Sequence, residues 1–333
     1  MKVFDFCIGN PPYNLDTLGK NETYAPPVYH DFMSAAYTIA DKVELITPAR
    51  FLFNGGSTPK AWNKERLNDE HFKVEQYFAN SKDVFPNVGI TGGVAITYRD
   101  KNKKFGKIGT FVSDIILNDI IKKVKADVPF SSIIVSAYGY HFTDNMHNEN
   151  PEAIALMSKG HEYDLKSNIF ETIPFVFSEK KDDNKLKVLG RYNNNRCYRF
   201  IDPRYIKTIA NTFAYKIAVP KAWDCILKPT IEDPGTITTE TFVTVGNFRQ
   251  IKEAENCLKY IQTKFSRMLL SILKPSQDFT PDKWKLAPLQ NFTEESDIDW
   301  SVSVVNIDKQ LYKKYGLTKE EIDFIESNVK AME

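Results

Sequence analysis

Cysteine is scarce: there are four in 333 residues, Cys7, Cys197, Cys225 and Cys257. No two stand close enough for a CxxC metal or redox pair, and the five histidines are scattered, so no metal site is expected. The pattern suits reduced thiols and a cytoplasmic location. The start, Met1-Lys2-Val3-Phe4-Asp5, lacks the basic, apolar and small-residue zones of a secretory signal. No run approaches ~18 uninterrupted apolar residues, so no membrane association is expected. Charge of one sign is also missing. The 44 Lys plus Arg nearly cancel 43 Asp plus Glu, for a net charge of +1. That excludes a uniformly basic DNA-coating protein, but not a basic face balanced by an acidic one. With 42% hydrophobic and 26% charged residues, the chain is neither collagen, nor low-complexity disorder, nor a coiled coil. There is no internal repeat. What is plentiful is aromatic: 13% Phe, Trp and Tyr, which serve a core or stack on bases.

The length suits about two domains. The first ~115 residues alternate between strand-like and helix-like runs. Val3 to Ile8 reads as a strand, stopped by Gly9-Asn10-Pro11-Pro12, because consecutive prolines cannot continue a central strand. Val28 to Ala40 carries Phe32, Ala35, Ala36 and Ile39 near helical spacing. Val43 to Thr47 is a second strand, Ala61 to Phe72 a charged helix, and Val74 to Phe78 and Gly93 to Tyr98 further strands. The alternation predicts an α/β layer with a largely parallel sheet. Beyond the polar turn at 100–104, a strand or helix extends to about Val124. Residues 130–250 hold short β-like runs, at Ser131 to Val135, Phe175 to Phe177, Tyr215 to Val219 and Phe242 to Val245. Ile251 to Ile272 is the best helix, with Ala254, Leu258, Ile261, Phe265, Met268 and Leu269 on one stripe, ended by Lys274-Pro275-Ser276. Thr318 and Glu321 form a capping box for a last helix.

One motif carries chemistry. Asn10-Pro11-Pro12-Tyr13 directly follows the first strand. Two prolines stiffen a loop at the carboxyl end of a strand, where open α/β sheets bind ligands. An amide side chain and a backbone carbonyl both accept hydrogen bonds from an exocyclic amine, and a Tyr ring stacks on the planar group bearing it. The combination suits methylation of an aromatic or amide nitrogen. The plainer alternative is a turn with that composition.

These residues resemble the N6-adenine DNA methyltransferases of restriction-modification systems, most closely type IIG enzymes and adenine-specific modification proteins with the recognition domain after the catalytic one. Phe4 to Tyr13 resembles the catalytic block. Tyr29-His30-Asp31-Phe32 resembles the following helix, whose Phe touches the donor's adenine. Val43 to Pro48 resembles the next strand. Val84-Phe85-Pro86, with Gly92 to Ile96, resembles the loop whose Phe packs on the target adenine. Glu253 to Asn256, Thr263-Lys264-Phe265 and Asp297 to Trp300 also recur in such proteins. The resemblance implies an α/β fold: the C-terminal half of a Rossmann-like methyltransferase sheet over residues 1–115, then an α+β target-recognition domain over 116–333 with a helical C-terminal part. It implies a flipped adenine held by Tyr13 and Phe85, Asn10 and the Pro11 carbonyl as amine acceptors in a loop stiffened by Pro12, Phe32 at S-adenosylmethionine, double-stranded DNA as substrate and no metal. The family's glycine-rich donor loop normally precedes the Asn-Pro-Pro-Tyr block, and only nine residues do so here. An N-terminal methyltransferase fragment or subunit is therefore expected as partner. No PD-(D/E)xK nuclease arrangement is present.

Residues 180–207 hold nine Lys or Arg against three Asp, interleaved with aromatics and amides. Arg191, Asn193, Asn194, Arg196, Arg199 and Arg204 are the candidate DNA contacts, since Arg and Asn suit guanine and adenine edges. A solvated basic face is the alternative. Residues 285–333 carry ten Asp or Glu against six Lys and are expected to face away from DNA. Tyr138 to Phe142 is either another groove loop or an ordinary hairpin. His30 reads as packed or capping. Arg50 and Asp83 contact either phosphate or a neighbouring loop, and Asp5 is a candidate anchor for the catalytic loop. Two rival readings stand beside the leading one: a catalytically inactive DNA-binding specificity module, and a methyltransferase acting on protein glutamine or RNA.

Overall fold

The computed structural model describes residues 3–15, 25–55, 57–125, 127–221, 229–273 and 280–330. Cys225 and the expected helix stop Lys274-Pro275-Ser276 lie outside them. The chain divides into two units, Met1–Asp114 and Ile115–Glu333, both mixed α/β.

The first unit runs β1 (Phe4–Gly9), α1 (Tyr29–Ile39), β2 (Ala40–Pro48), α2 (Lys60–Asn68), β3 (Phe72–Phe78) and β4 (Val94–Asp100). The sheet order is β1-β2-β4-β3. β1 and β2 are parallel, but β4 is antiparallel to both β2 and β3. The expectation of a largely parallel sheet is thus corrected: β4 returns between its neighbours. Strand direction is invisible to periodicity, because an alternating or continuous apolar run reads the same either way along the chain. The predicted helix over 61–72 stops at Asn68, and Phe72 is instead a buried strand residue.

The core of this unit is one-sided. Tyr29, Met33 and Ala36 of α1 pack with Val43 and Leu45 of β2, and Phe51, Leu67 and Phe72 extend the cluster. β1 takes little part in it. Phe4, Phe6 and Ile8, which share one face, are 54%, 58% and 76% exposed.

The second unit contains α3 (Ile115–Val124), β5 (Ile134–Val135), β6 (His141–Phe142), α4 (Asp144–Glu149), α5 (Glu152–Leu156), α6 (Ile169–Thr172), β7 (Leu186–Tyr192), β8 (Asn195–Ile201) and β9 (Ile206–Lys207). It continues with β10 (Tyr215–Pro220), β11 (Thr230–Glu232), β12 (Thr236–Thr238), β13 (Phe242–Phe248), α7 (Ile251–Gln262), α8 (Lys264–Ile272), α9 (Val304–Lys314) and α10 (Lys319–Asn328). Among the described residues three sheets form, ordered β11-β10-β13-β5, β12-β7-β8 and β6-β9. Phe175–Phe177 is not a strand; Pro174–Val176 makes a 3-10 turn there.

The core of the second unit is rich in aromatics. Phe130, Tyr260, Phe292 and Trp300 form a knot of edge-on and tilted rings, with Trp284 against Phe130 at 4.9 Å between centroids. The single helix expected over 251–272 is two helices. Thr263 is extended (φ −60°, ψ 147°), and its hydroxyl accepts from the Ser266 amide to start α8. The Asp308 carboxylate accepts from the Lys264 and Phe265 amides, 3.0 and 2.9 Å away. One apolar stripe spans the break because both helices bury it in the same core. The Thr318–Glu321 capping box opens α10 as expected. Among the described residues no helix is long and apolar enough to cross a membrane.

Lys216, on β10, is fully buried. Its ammonium donates to the Thr236, Thr212 and Asp233 carbonyls at 2.8, 3.3 and 3.5 Å. Burial lowers its pKa to about 8, although Glu232 and Asp233 oppose the shift. Between that value and the usual lysine range near 10.5, the unfolded chain binds more protons than the folded one. From this group stability therefore rises with pH across that window. Lys216→Met loses the donors without any proton linkage. The destabilisation it causes is expected to grow from pH 7 to pH 9.5, reaching about 1–3 kcal/mol, and urea unfolding at the two pH values checks it.

Candidate functional site

The carboxyl end of β1 leads into Asn10-Pro11-Pro12-Tyr13. The chain then folds back: Val28 donates to the Tyr13 carbonyl at 3.0 Å and Leu15 to the Pro26 carbonyl at 2.9 Å. Asn10 and Pro12 are exposed, and Pro11 and Tyr13 half-buried. The Tyr13 hydroxyl is buried without a hydrogen-bond partner among the described residues, and burial pushes its pKa up to about 12.

The second expected base-holding residue is beside it. The Tyr13 and Phe85 rings meet edge to face, with centroids 6.4 Å apart and planes at 70°. Seventy-two residues separate them in the chain, and the loop between β3 and β4 closes that gap. Buried Ser81 organises this loop. Its hydroxyl donates to the Val88 carbonyl and accepts from the Ile90 amide, both at 2.8 Å, and its carbonyl accepts from the Phe85 amide. Gly92 and Gly93, at φ +87° and +76°, turn the loop into β4. A Cβ on Gly93 would lie 2.2 Å from the Phe78 carbonyl oxygen, so only glycine fits. Neither Ser81 nor this role of Gly93 was legible beforehand; the Gly-Gly pair was the available signal.

Arg50 donates to the Thr91 carbonyl, and Asp83 accepts from the Asn80 amide side chain at 3.1 Å. His30 packs edge-on against Trp62. Phe32 projects from α1 and is 44% exposed, while its neighbour Met33 is fully buried.

The middle of the basic segment 180–207 is a β-hairpin, which the sequence reading missed. β7 and β8 pair in register from Leu186↔Ile201 to Tyr192↔Asn195. The two-residue turn Asn193-Asn194 takes left-handed backbone, φ 48° and 63°. That is the turn type matching strand twist, and Asn is among the few residues that adopt it. The six candidate DNA contacts separate. Arg191, Asn193, Asn194 and Arg196 are together at the exposed tip. Arg199 pairs with Glu179 at 2.7 Å, and Arg204 with Glu149 and Asp202, each at 2.9 Å. Tyr138 to Phe142 is no hairpin, since β6 pairs with β9 and buries Tyr140 and Phe142.

The later blocks of the family resemblance serve folding. Glu253 accepts from the Arg249 amide at the start of α7, Thr263 caps α8, and Ile298 and Trp300 are buried. Gly246, at φ +90°, has the Phe248 ring where a Cβ would stand. Among the described residues no group of three or more His, Cys, Asp or Glu is disposed to hold a metal.

The match to a known family falls in the first unit. Residues 1–85 match the family model of the Eco57I restriction-modification methylases. An uncharacterized adenine-specific methylase of Mycoplasma pneumoniae is 30% identical over 116 residues, covering 32% of this chain and 28% of that protein. The chain thus corresponds to under a third of that relative's length. The solved type IIG restriction endonuclease BpuSI aligns over 83% of this chain and 42% of its own, at 8% identity and a TM-score of 0.31, too low to establish a shared architecture.

The Phe85 loop is testable through its glycines. Gly93→Ala would press a methyl into backbone, whereas at Gly92 the added methyl would meet the movable Arg50 side chain. Gly93→Ala is expected to lower stability by about 1–3 kcal/mol, and more than Gly92→Ala. Urea midpoints of the two variants check the order.

Proposed function

We propose that the chain carries the amine-binding and DNA-recognising part of an adenine-N6 DNA methyltransferase of a restriction-modification system. The observation that carries this reading is the Tyr13–Phe85 pair at the mouth of a rigid Asn-Pro-Pro-Tyr loop, inside the segment matching the Eco57I methylases. The sheet order β1-β2-β4-β3, with β4 reversed beside the far edge, supports reading the first unit as the second half of a Rossmann-like sheet.

An adenine in a duplex cannot meet a methyl donor until it is flipped out, which costs a few kcal/mol. Tyr13 and Phe85 offset that cost by stacking and edge contact with the extruded base, worth about 1–3 kcal/mol per stacked base. The Asn10 side-chain oxygen and the Pro11 carbonyl accept the two amine hydrogens. That frees the nitrogen lone pair from the ring and points it outward. Pro11 and Pro12 hold both acceptors in one geometry, so the loop contributes orientation in advance.

The donor, S-adenosylmethionine, would supply a methyl group on a positively charged sulfur. The residues fit it in part. Phe32 offers an exposed flat ring to a planar heterocycle. In this proposal the remaining donor contacts come from a glycine-rich half, encoded upstream or in a separate subunit. That half also covers Phe4, Phe6 and Ile8, since exposed apolar residues on an edge strand invite another strand.

Methyl transfer from labelled donor to duplex DNA, with and without the polypeptide encoded immediately upstream, tests the reading. Asn10→Ala is expected to lower transfer at least 100-fold while DNA affinity changes less than threefold. Retained transfer would remove Asn10 from its role, and transfer to protein glutamine or RNA instead of DNA would overturn the reading. On adding the upstream half, amide exchange in Phe4–Ile8 is expected to slow; unchanged exchange would show that this edge is not where it docks.

A further inference from the structure

The β7–β8 hairpin is built to project its tip. β7 is anchored by buried Leu186, Val188 and Leu189, and β8 by buried Ile201. Gly190 lets the ribbon press close: a Cβ there would stand 2.5 Å from the Phe170 ring and 2.8 Å from Thr239. The turn is held from outside as well, since the Asn193 amide donates to the Glu171 carboxylate at 2.9 Å. Beyond this anchor, every residue from Arg191 to Asn195 is exposed. The Arg191 and Asn194 side chains make no hydrogen bond or ion pair among the described residues.

Behind the tip lies a half-open cavity of about 340 Å³, lined by Arg191, Asn194, Arg196, Lys221, Glu240 and Phe242. Among the described residues the lining holds three cations and one carboxylate, and Glu240 already accepts from the Ser167 amide at 3.2 Å. The Arg196 guanidinium lies 5.2 Å from the Phe242 ring centre, and the Lys221 ammonium 5.1 Å from that of Tyr138. These two cations are thus steadied at the cleft wall by aromatic faces. Lower on the ribbon Arg199 is matched by Glu179, and Arg204, in the turn after β8, by Glu149 and Asp202.

We infer that the β7–β8 tip is the element that reads the DNA target sequence, with Arg191 and Asn194 on base edges and Arg196 and Lys221 on a phosphate beside them. The inference rests on the DNA-methyltransferase reading and assigns its specificity. A two-stranded ribbon fits the major groove, which is about 12 Å wide. Arg reads the two acceptors of guanine, and Asn the acceptor and donor of adenine. A turn fixed by left-handed backbone and an external carboxylate meets those edges with little ordering cost.

The test uses the full chain, with the upstream polypeptide where transfer requires it. Methylated sites are mapped by sequencing, and binding to the mapped site and to a duplex with one base pair changed is compared. Arg191→Ala and Asn194→Gly are expected to reduce discrimination between the two duplexes on the order of 10- to 100-fold. Asn194→Gly keeps the left-handed turn, so its loss reports the amide and not the fold. Lys221→Ala is expected to weaken both duplexes alike and reduce the salt slope by about one charge. If wild type methylates a defined site while Arg191→Ala and Asn194→Gly keep full discrimination, the assignment of the tip is overturned and the enzyme reading stands. Loss of discrimination with Arg204→Ala but neither tip variant overturns it as well. If wild type neither binds nor methylates DNA, both fall.

Discussion

The return of β4 between β2 and β3 is the constraint on which the candidate catalytic site depends. It pairs Val94, the first residue of β4, with Pro48 at the end of β2 and with Phe78 at the end of β3. The loop from 79 to 93 must therefore close over the carboxyl ends of the parallel strands, which is also where β1 delivers Asn10 to Tyr13. Ser81, by holding the Val88 carbonyl and the Ile90 amide, and Gly93, by passing within touching distance of Phe78, determine how it closes. Phe85 reaches Tyr13 as a result of strand order. In the proposed reaction the same constraint presents the stacking ring and the amine acceptors together before any substrate arrives.

The two units place polar function in different ways, each on a rigid support. In the first, a loop locked by prolines sits at a strand end above a one-sided core. In the second, a ribbon anchored by Leu186, Val188, Leu189 and Ile201 holds its polar tip out of a well-packed body. The aromatic knot around Tyr260 and Phe292, and the Asp308 carboxylate that starts α8, belong to that body. The price of the first arrangement is visible on β1, whose Phe4, Phe6 and Ile8 stay exposed.

The residues alone specified the local chemistry. Asn10 to Tyr13 follows a strand because two prolines cannot continue one, and the Thr318–Glu321 box starts a helix because its side chains satisfy free amides there. Both are contacts between near neighbours, and such contacts are written in the chain. Tertiary structure decided everything that joins distant residues. It made β4 antiparallel, which a palindromic hydrophobic pattern cannot signal. It broke the helix at Thr263, because Asp308, forty-five residues on, stabilises a second start. It set Arg199 against Glu179 and Arg204 against Glu149, and carried Arg191 to the exposed tip, because only the pairing of β7 with β8 and the positions of those acids decide where each charge lies.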